Sequence, residues 1–445
     1  MIDCGLRSPG LRAWLALVVL AASVGSARGQ DRPQTQARPS AGVFGGAGDA
    51  PHDTLVATIN AYGAQDNQLS DDPTVVGAAG VPLGEFYSGT DVGLSYVPSE
   101  RGKVTYDLRG TSGFRYYPSL ADVATATQSV SAGVAVLANQ RSTFHFRGGA
   151  SYFPYFDYTQ PTSLVDAAPG TPVRLPNNRL STRRVVGTEG GLDYTYQPNR
   201  RTAFTLIYGL RRSELIEEAQ TSIDTTVAGA FSRRLSRTTA TRMTYTFRDG
   251  GFRLGNVENP VRINDVEIAL DRDWLHSQTR RSTLSIAGGP SVVDFQGQRG
   301  YRAFGSITLA HPFARSWNLR ALYRRGVTFL DGSSQPFLSN SVTFGIGGLL
   351  TRRLDVSLSA GAVLGDIGFE AGTGTAYDTY TGSARGRYGL TNRLALYGEY
   401  LYSYSRFGDT GPAGGLNRRG FRGGLTIHAP LVRQAGRSTP GGRTP

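Results

Sequence analysis

In 445 residues there is one cysteine, Cys4, two methionines, one lysine, Lys103, and no apolar run long enough for a helix to cross a bilayer. Each scarcity excludes something. A chain whose sole cysteine lies next to its start has no disulfide framework, no thiolate metal site and no cysteine at which a lipid could be attached after export. With lysine nearly absent, almost all of the 47 basic residues are arginine, a bias that fits genome composition better than chemistry. The longest apolar run, Ala13 to Ala22, falls short of the roughly 20 residues a spanning helix needs. It follows Arg7 and Arg12 and leads into small residues ending near Gly29, the pattern of a secretory signal peptide over residues 1–29. The mature chain is expected to leave the cytoplasm.

Glycine, by contrast, is abundant at 58 residues, with 22 tyrosines and 20 phenylalanines. Glycine and aromatics with few helix formers point to many strands. A soluble chain of this length is expected to divide into two or three domains, yet composition does not shift between about Thr54 and Leu431. One large sheet over residues 54–432 is therefore expected, preceded by a flexible leader (30–53) and followed by a flexible tail (433–445), both rich in Pro and Gly without periodicity.

Period-two alternation recurs along that region. "NRLALYGEYLYSYSRF" places Leu394, Leu396, Tyr400, Tyr402 and Tyr404 on one face and Ala395, Tyr397, Glu399 and Ser403 on the other. "STFHFRGGASYF", "RMTYTFR" and "NDVEIALD" do the same, and period two means strand. Arginine-bearing turns such as "QPNRR", "TRRL" and "LTNR" alternate with longer links, among them "AAPGTPVRLPNN", "DGGFRLGNVENP" and "FQGQRG". The result is a chain of hairpins with its tight turns on one side.

About eighteen strands are expected (sixteen being the alternative), each near the 9 to 11 residues that cross a bilayer when tilted. The even number brings both termini to one side, as antiparallel closure requires. Alternation alone also fits a soluble sandwich or propeller with its apolar face inward. The export signal, the hairpin rhythm and aromatics gathered toward both strand ends favour an all-β, transmembrane, antiparallel up-and-down barrel. Arg325 fits badly, falling on the lipid-facing register of "WNLRALYRRGVTF".

The wet face carries the candidate pore-lining residues: Arg109, Arg147, Arg242, Arg320, Arg324, Arg385, Arg387, Arg422, Asp265, Glu267 and Glu399. The other wet positions are mostly small, such as Ser339, Ser341, Thr343, Ser357 and Ser359, and cannot fill a bore of 16 to 18 strands. An open channel is expected, with 157–181 as the segment best placed to constrict it. The formal net charge of +13 suggests anion preference. Many arginines, however, sit in turns, and the wall mixes signs, so the preference is expected to be weak.

The units "GRYGLTNRLALYGEYLYSYSRF" and "FSRRLSRTTATRMTYTF" and the last strand "NRRGFRGGLTIHAPL" resemble Gram-negative outer-membrane β-barrel proteins, most of all the family called β-barrel porin 2. The resemblance covers nearly all of the mature chain with motifs many barrels share. It implies a passive outer-membrane pore for small polar or anionic solutes, or, as in some members, a barrel exporting an acidic exopolysaccharide. The implied partners are outer-membrane lipid, the transported solute or polysaccharide, and the barrel-assembly machinery. Such barrels usually end on an aromatic strand residue, whereas this chain continues from Arg433 to Pro445, which puts the assembly signal in question.

Four rival readings fare worse. A lipid-modifying enzyme needs a Ser and His pair at the lipid interface, and none of the five histidines reveals one in the sequence. A calcium site at Asp265 and Glu267 is less economical than wall polarity. Adhesion would rest on loops of plain composition. Neither a cofactor nor a catalytic residue is expected. Arginines scattered over hairpin turns do not make a nucleic-acid recognition element.

Overall fold

The computed structural model describes residues 54–66, 85–97, 103–118, 123–153, 185–215, 220–254, 257–277, 280–314, 316–329, 336–367, 375–407 and 416–433. The expected signal peptide, leader, tail and constricting segment 157–181 lie outside the described residues. Eighteen strands follow in chain order: β1 (Thr54–Asp66), β2 (Glu85–Val97), β3 (Val104–Tyr117), β4 (Val123–Asn139), β5 (Ser142–Phe153) and β6 (Val185–Asn199). Next come β7 (Thr202–Leu215), β8 (Gln220–Arg234), β9 (Thr239–Leu254), β10 (Val257–Ser277), β11 (Arg280–Phe295) and β12 (Gln298–Phe313). The last six are β13 (Trp317–Phe329), β14 (Pro336–Leu349), β15 (Leu354–Ile367), β16 (Thr375–Gly389), β17 (Leu394–Phe407) and β18 (Leu416–Arg433).

Every strand pairs antiparallel with its sequence neighbours, and β1 pairs with β18 from Thr54↔Arg433 to Asp66↔Gly420. The sheet is a closed up-and-down barrel. Its alternation is inverted relative to a soluble protein. Leu206, Met243, Ile268 and Phe421 are more than half exposed on the outer face, whereas Glu399, Asp265, Thr379 and Thr426 are buried on the inner one. An apolar outside and a polar inside are what a barrel in hydrocarbon requires, because lipid offers nothing to an unpaired sheet edge. Aromatics reinforce the outer face near the short turns, with Tyr96 stacked on Tyr106 (5.1 Å), Phe144 against Tyr194 (4.7 Å) and Phe313 against Trp317 (5.9 Å).

Side-chain acceptors shape the short turns. Asn139 and Asn199 Oδ1 accept from the amides of Arg141 and Arg201, and Thr351 and Thr391 Oγ1 each accept from two successive amides. These are the local bonds that make Asn and Thr turn residues.

Two expectations are corrected. The strands run from 12 residues in β5 to 21 in β10, longer than a bilayer crossing needs, so they project beyond it. The segments read as the long links "DGGFRLGNVENP" and "FQGQRG" are mostly strand: β9 and β10 pair up to Leu254↔Val257, and β11 and β12 up to Phe295↔Gln298. At the second tip Gln296 and Gly297 have φ of 49° and 79°, positive at both central positions, as a tight hairpin turn compatible with strand twist demands.

The ladder between β10 and β11 skips the pairs opposite Val266 and Glu267, where Pro290 has no amide to give. Beside it, a Cβ on Gly289 would lie 1.7 Å from the Val266 carbonyl oxygen, whereas one on Gly190 meets nothing within 4 Å. Gly289→Ala is therefore expected to destabilise the barrel by about 1–3 kcal/mol, and Gly190→Ala to leave it within about 0.5 kcal/mol. Urea unfolding of the two variants, followed by the mobility of unboiled protein on gels, checks the contrast.

Candidate functional site: the charged inner wall

The strand registers carry charged side chains into three groups on the inner face. In the first, Arg385, Glu399 and Arg422 stand directly opposite one another across β16, β17 and β18. Arg422 Nε donates to Glu399 Oε2 at 2.7 Å, and the Glu399 side chain is wholly buried. The Arg385 guanidinium lies 5.1 Å over the Tyr397 ring and that of Arg422 5.3 Å over Tyr62, both within cation–π range. Tyr397 and Tyr62 flank Gly424 in register, and a Cβ there would lie 2.1 Å from the Ala61 carbonyl oxygen. Glycine is what lets the two tyrosines close over this row.

Around it, Arg387 bonds Asp355 at 3.1 Å, Arg418 bonds Asp66 at 2.5 Å, and Thr426 donates to Asn60 at 2.8 Å. The last two cross the closing seam. Tyr62, Tyr87 and Tyr117 pack in sequence beside them.

The second group lies on the opposite wall. Arg248 of β9 bonds Asp265 of β10 at 2.7 Å, both largely buried, while Arg242 meets Glu267 at 3.4 Å with more exposure. Ser285 donates to Asp271 at 2.6 Å. Arg320 and Arg324 face this group from β13, in register with Ala310 and Ser306 of the inner face of β12. In the third group, Arg147 bonds Asp193 at 2.9 Å and stays 60% exposed. Arg109, opposite Ser95 and Ser131, is exposed on β3.

All eleven sequence-derived candidates thus fall on the inner face. Arg385, Arg387, Arg422 and Glu399 share one cluster; Arg242, Arg320, Arg324, Asp265 and Glu267 lie in the second group; Arg147 and Arg109 stand apart. Sequence reasoning missed Asp66, Arg418, Tyr62 and Arg248, whose partners appear only once the registers are known. Asp265 and Glu267 hold arginines rather than forming an acidic pair.

A part of the inner face is apolar, which the expectation of an open bore with small wet residues did not include. Val261, Ile263, Val293, Phe295 and Val327 form a buried cluster at the long-loop end, with Leu338 packed against it. Val261, Ile263, Val293 and Phe295 share the inner register of Asp265 and Ser291 on β10 and β11. Val327 and Leu338 instead belong to the outer register of β13 and β14. The ends of β13 and β14 therefore lie inside β10 and β11, and the sheet laps over itself.

The Ser and His pair not found in the sequence is present in the fold. Ser282 and His311 are 2.7 Å apart on the outer face near the short turns. Ser282 is only 2% exposed, so its hydroxyl is poorly placed to meet an ester.

No protein-family model matches the chain, and no curated protein does. Among solved structures, Pseudomonas aeruginosa OpdL is similar at 11% identity, covering 85% of this chain and 99% of its own, with a TM-score of 0.45. Acinetobacter baumannii OccAB4 is similar at 9% identity, covering 86% and 99%, with a TM-score of 0.43. The siderophore receptor PirA of Pseudomonas aeruginosa is similar at 9%, covering 86% and 81%, with a TM-score of 0.39.

Removing one partner of the buried pair leaves an uncompensated charge, so Arg422→Met is expected to destabilise by about 3–5 kcal/mol. Arg422→Met with Glu399→Met should recover part of that loss, the remainder reflecting Arg385, which then lacks the carboxylate opposite it. A double-mutant cycle from urea unfolding decides it, and additive losses would show that the pair does not couple.

Proposed function

We propose that the protein is a passive channel of the Gram-negative outer membrane for small polar or anionic solutes. The inversion of the barrel carries this reading. A closed wall that is apolar outside and charged inside separates lipid from water, and eighteen strands enclose more space than the inner side chains fill. Both termini of the barrel leave on the short-turn side, which accordingly faces the periplasm, with the longer loops outside.

Selectivity follows from which inner charges are neutralised and which are wet. Arg422, Arg387, Arg418 and Arg248 are buried against carboxylates, and such pairs present little net field to a passing ion. Arg109 and Arg147 are exposed and act on the solute directly. A weak anion preference results. Non-catalytic passage agrees with the inaccessible hydroxyl of Ser282.

Planar-bilayer recordings in a potassium chloride gradient test this. The reversal potential is expected on the anion side, moving toward cation preference by several millivolts with Arg109→Glu or Arg147→Glu and hardly at all with Arg387→Met. A parent protein that prefers potassium would refute the anion reading, and failure to conduct would remove the channel itself. Release of fatty acid from phospholipid vesicles would favour the enzyme instead.

A further inference from the structure

β12 and β13 are hydrogen-bonded from Phe313↔Trp317 to Gly305↔Arg325, but both strands continue beyond that last pair, β12 back to Gln298 and β13 on to Phe329. Eight residues at roughly 3.3 Å each, tilted by about 40°, put the parting about 20 Å above the Phe313 and Trp317 aromatics. That is close to the outer boundary of a hydrocarbon layer of roughly 25 Å.

Backbone groups released there need partners, and arginines supply them. Arg325 Nε donates to the Ala303 carbonyl at 3.2 Å, and its Nη1 to Asn340 Oδ1 at 3.3 Å. From the other side, Arg248 Nη1, on the inner face of β9, donates to the Val327 carbonyl at 3.1 Å. This accounts for an arginine on a lipid-facing register. What closes the seam above Gly305 is not a ladder but the apolar overlap of Val327 and Leu338 with Val261, Ile263, Val293 and Phe295.

A seam held by apolar contact and two arginine tethers opens more readily than one held by a continuous ladder. When it opens, it joins the lumen to the surrounding leaflet along an apolar strip with a cation on each side, Arg325 outward and Arg248 inward. We propose that the β12–β13 seam is a lateral portal for single-chain anionic amphiphiles, molecules with one apolar tail and a carboxylate head. The tail slides along Val261, Ile263 and Val293 while the head group exchanges between the two guanidinium groups. The inference rests on the barrel lying in a bilayer.

The test uses the full mature chain in phospholipid vesicles with a twelve-carbon carboxylate carrying a photoactivated diazirine at its tail. Labelled positions are mapped by peptide mass spectrometry, and the conductance of the same preparation is recorded. Val327→Ala, which thins the overlap, is expected to raise labelling of Ile263 and Val293 at least threefold over the parent, whereas Arg248→Ala, which removes the inner cation that receives the head group, is expected to lower it at least threefold. Mobility of unboiled protein on gels identifies the variants that are folded. Labelling confined to outward residues such as Ile307 and Tyr301, and unchanged in a folded variant, would overturn the portal. A conducting parent with that outcome keeps the channel and loses the portal. A parent that does not conduct loses the channel whatever the labels show.

Discussion

The pairing of backbone amides and carbonyls around a closed sheet is the constraint on which the rest of this structure depends. In lipid an unpaired group costs several kcal/mol, so the first and last strands must find each other although the whole chain lies between them. They do so over the full length of β1, and the side chains beside that seam are among the most firmly held in the molecule: Arg418 with Asp66, Thr426 with Asn60, and Arg422 with Glu399 one strand away. Alternation follows from closure. Once the sheet is a cylinder, each strand must offer apolar residues to hydrocarbon and polar residues to water, and a one-residue slip would exchange the two.

Burial then sorts the inner charges into two kinds. A pair such as Arg387 and Asp355, with side chains about one-fifth exposed or less, is shielded from salt and ties adjacent strands together. Unpaired, either member would be costly. Arg147 with Asp193, or Arg242 with Glu267, is more open to water, and exposed pairs contribute only about 0–1 kcal/mol. The first kind stiffens the wall at β15 to β1 and β9 to β10. The second can release its partner and interact with a solute.

Much of this was legible in the sequence, because strand alternation is local. The face of Glu399 or Arg422 follows from counting by two from Leu396 or Phe421. What a charge meets is not local. Asp66 and Arg418 are 352 residues apart, and their contact depends on the closing register. The tight turn at Gln296–Gly297 was hidden because glutamine in the left-handed region is uncommon, so "FQGQRG" read as a loop. The surplus length of β9 and β10 was hidden because "DGGFRLGNVENP" combines glycine and proline in a way that ordinarily marks a link.

The apolar inner patch shows how a local anomaly can be visible while its reason is distant. Val261 and Ile263 count onto the same face as Asp265 and Glu267, and Arg325 counts onto the face of Tyr323; both contradict a barrel that is uniformly polar within and apolar without. The two contradictions have one cause. Where β13 leaves β12 after Arg325, its outer face turns from lipid to the inner faces of β10 and β11, so Val327 keeps an apolar neighbour while Val261, Ile263, Val293 and Phe295 gain one. The arginine stays at the point of departure because the Ala303 carbonyl there has no β13 partner and accepts from Arg325 Nε instead. A lapped sheet narrows a wide mouth without a separate plug, and it does so only if apolar residues occupy part of the wet face and a cation occupies part of the oily one.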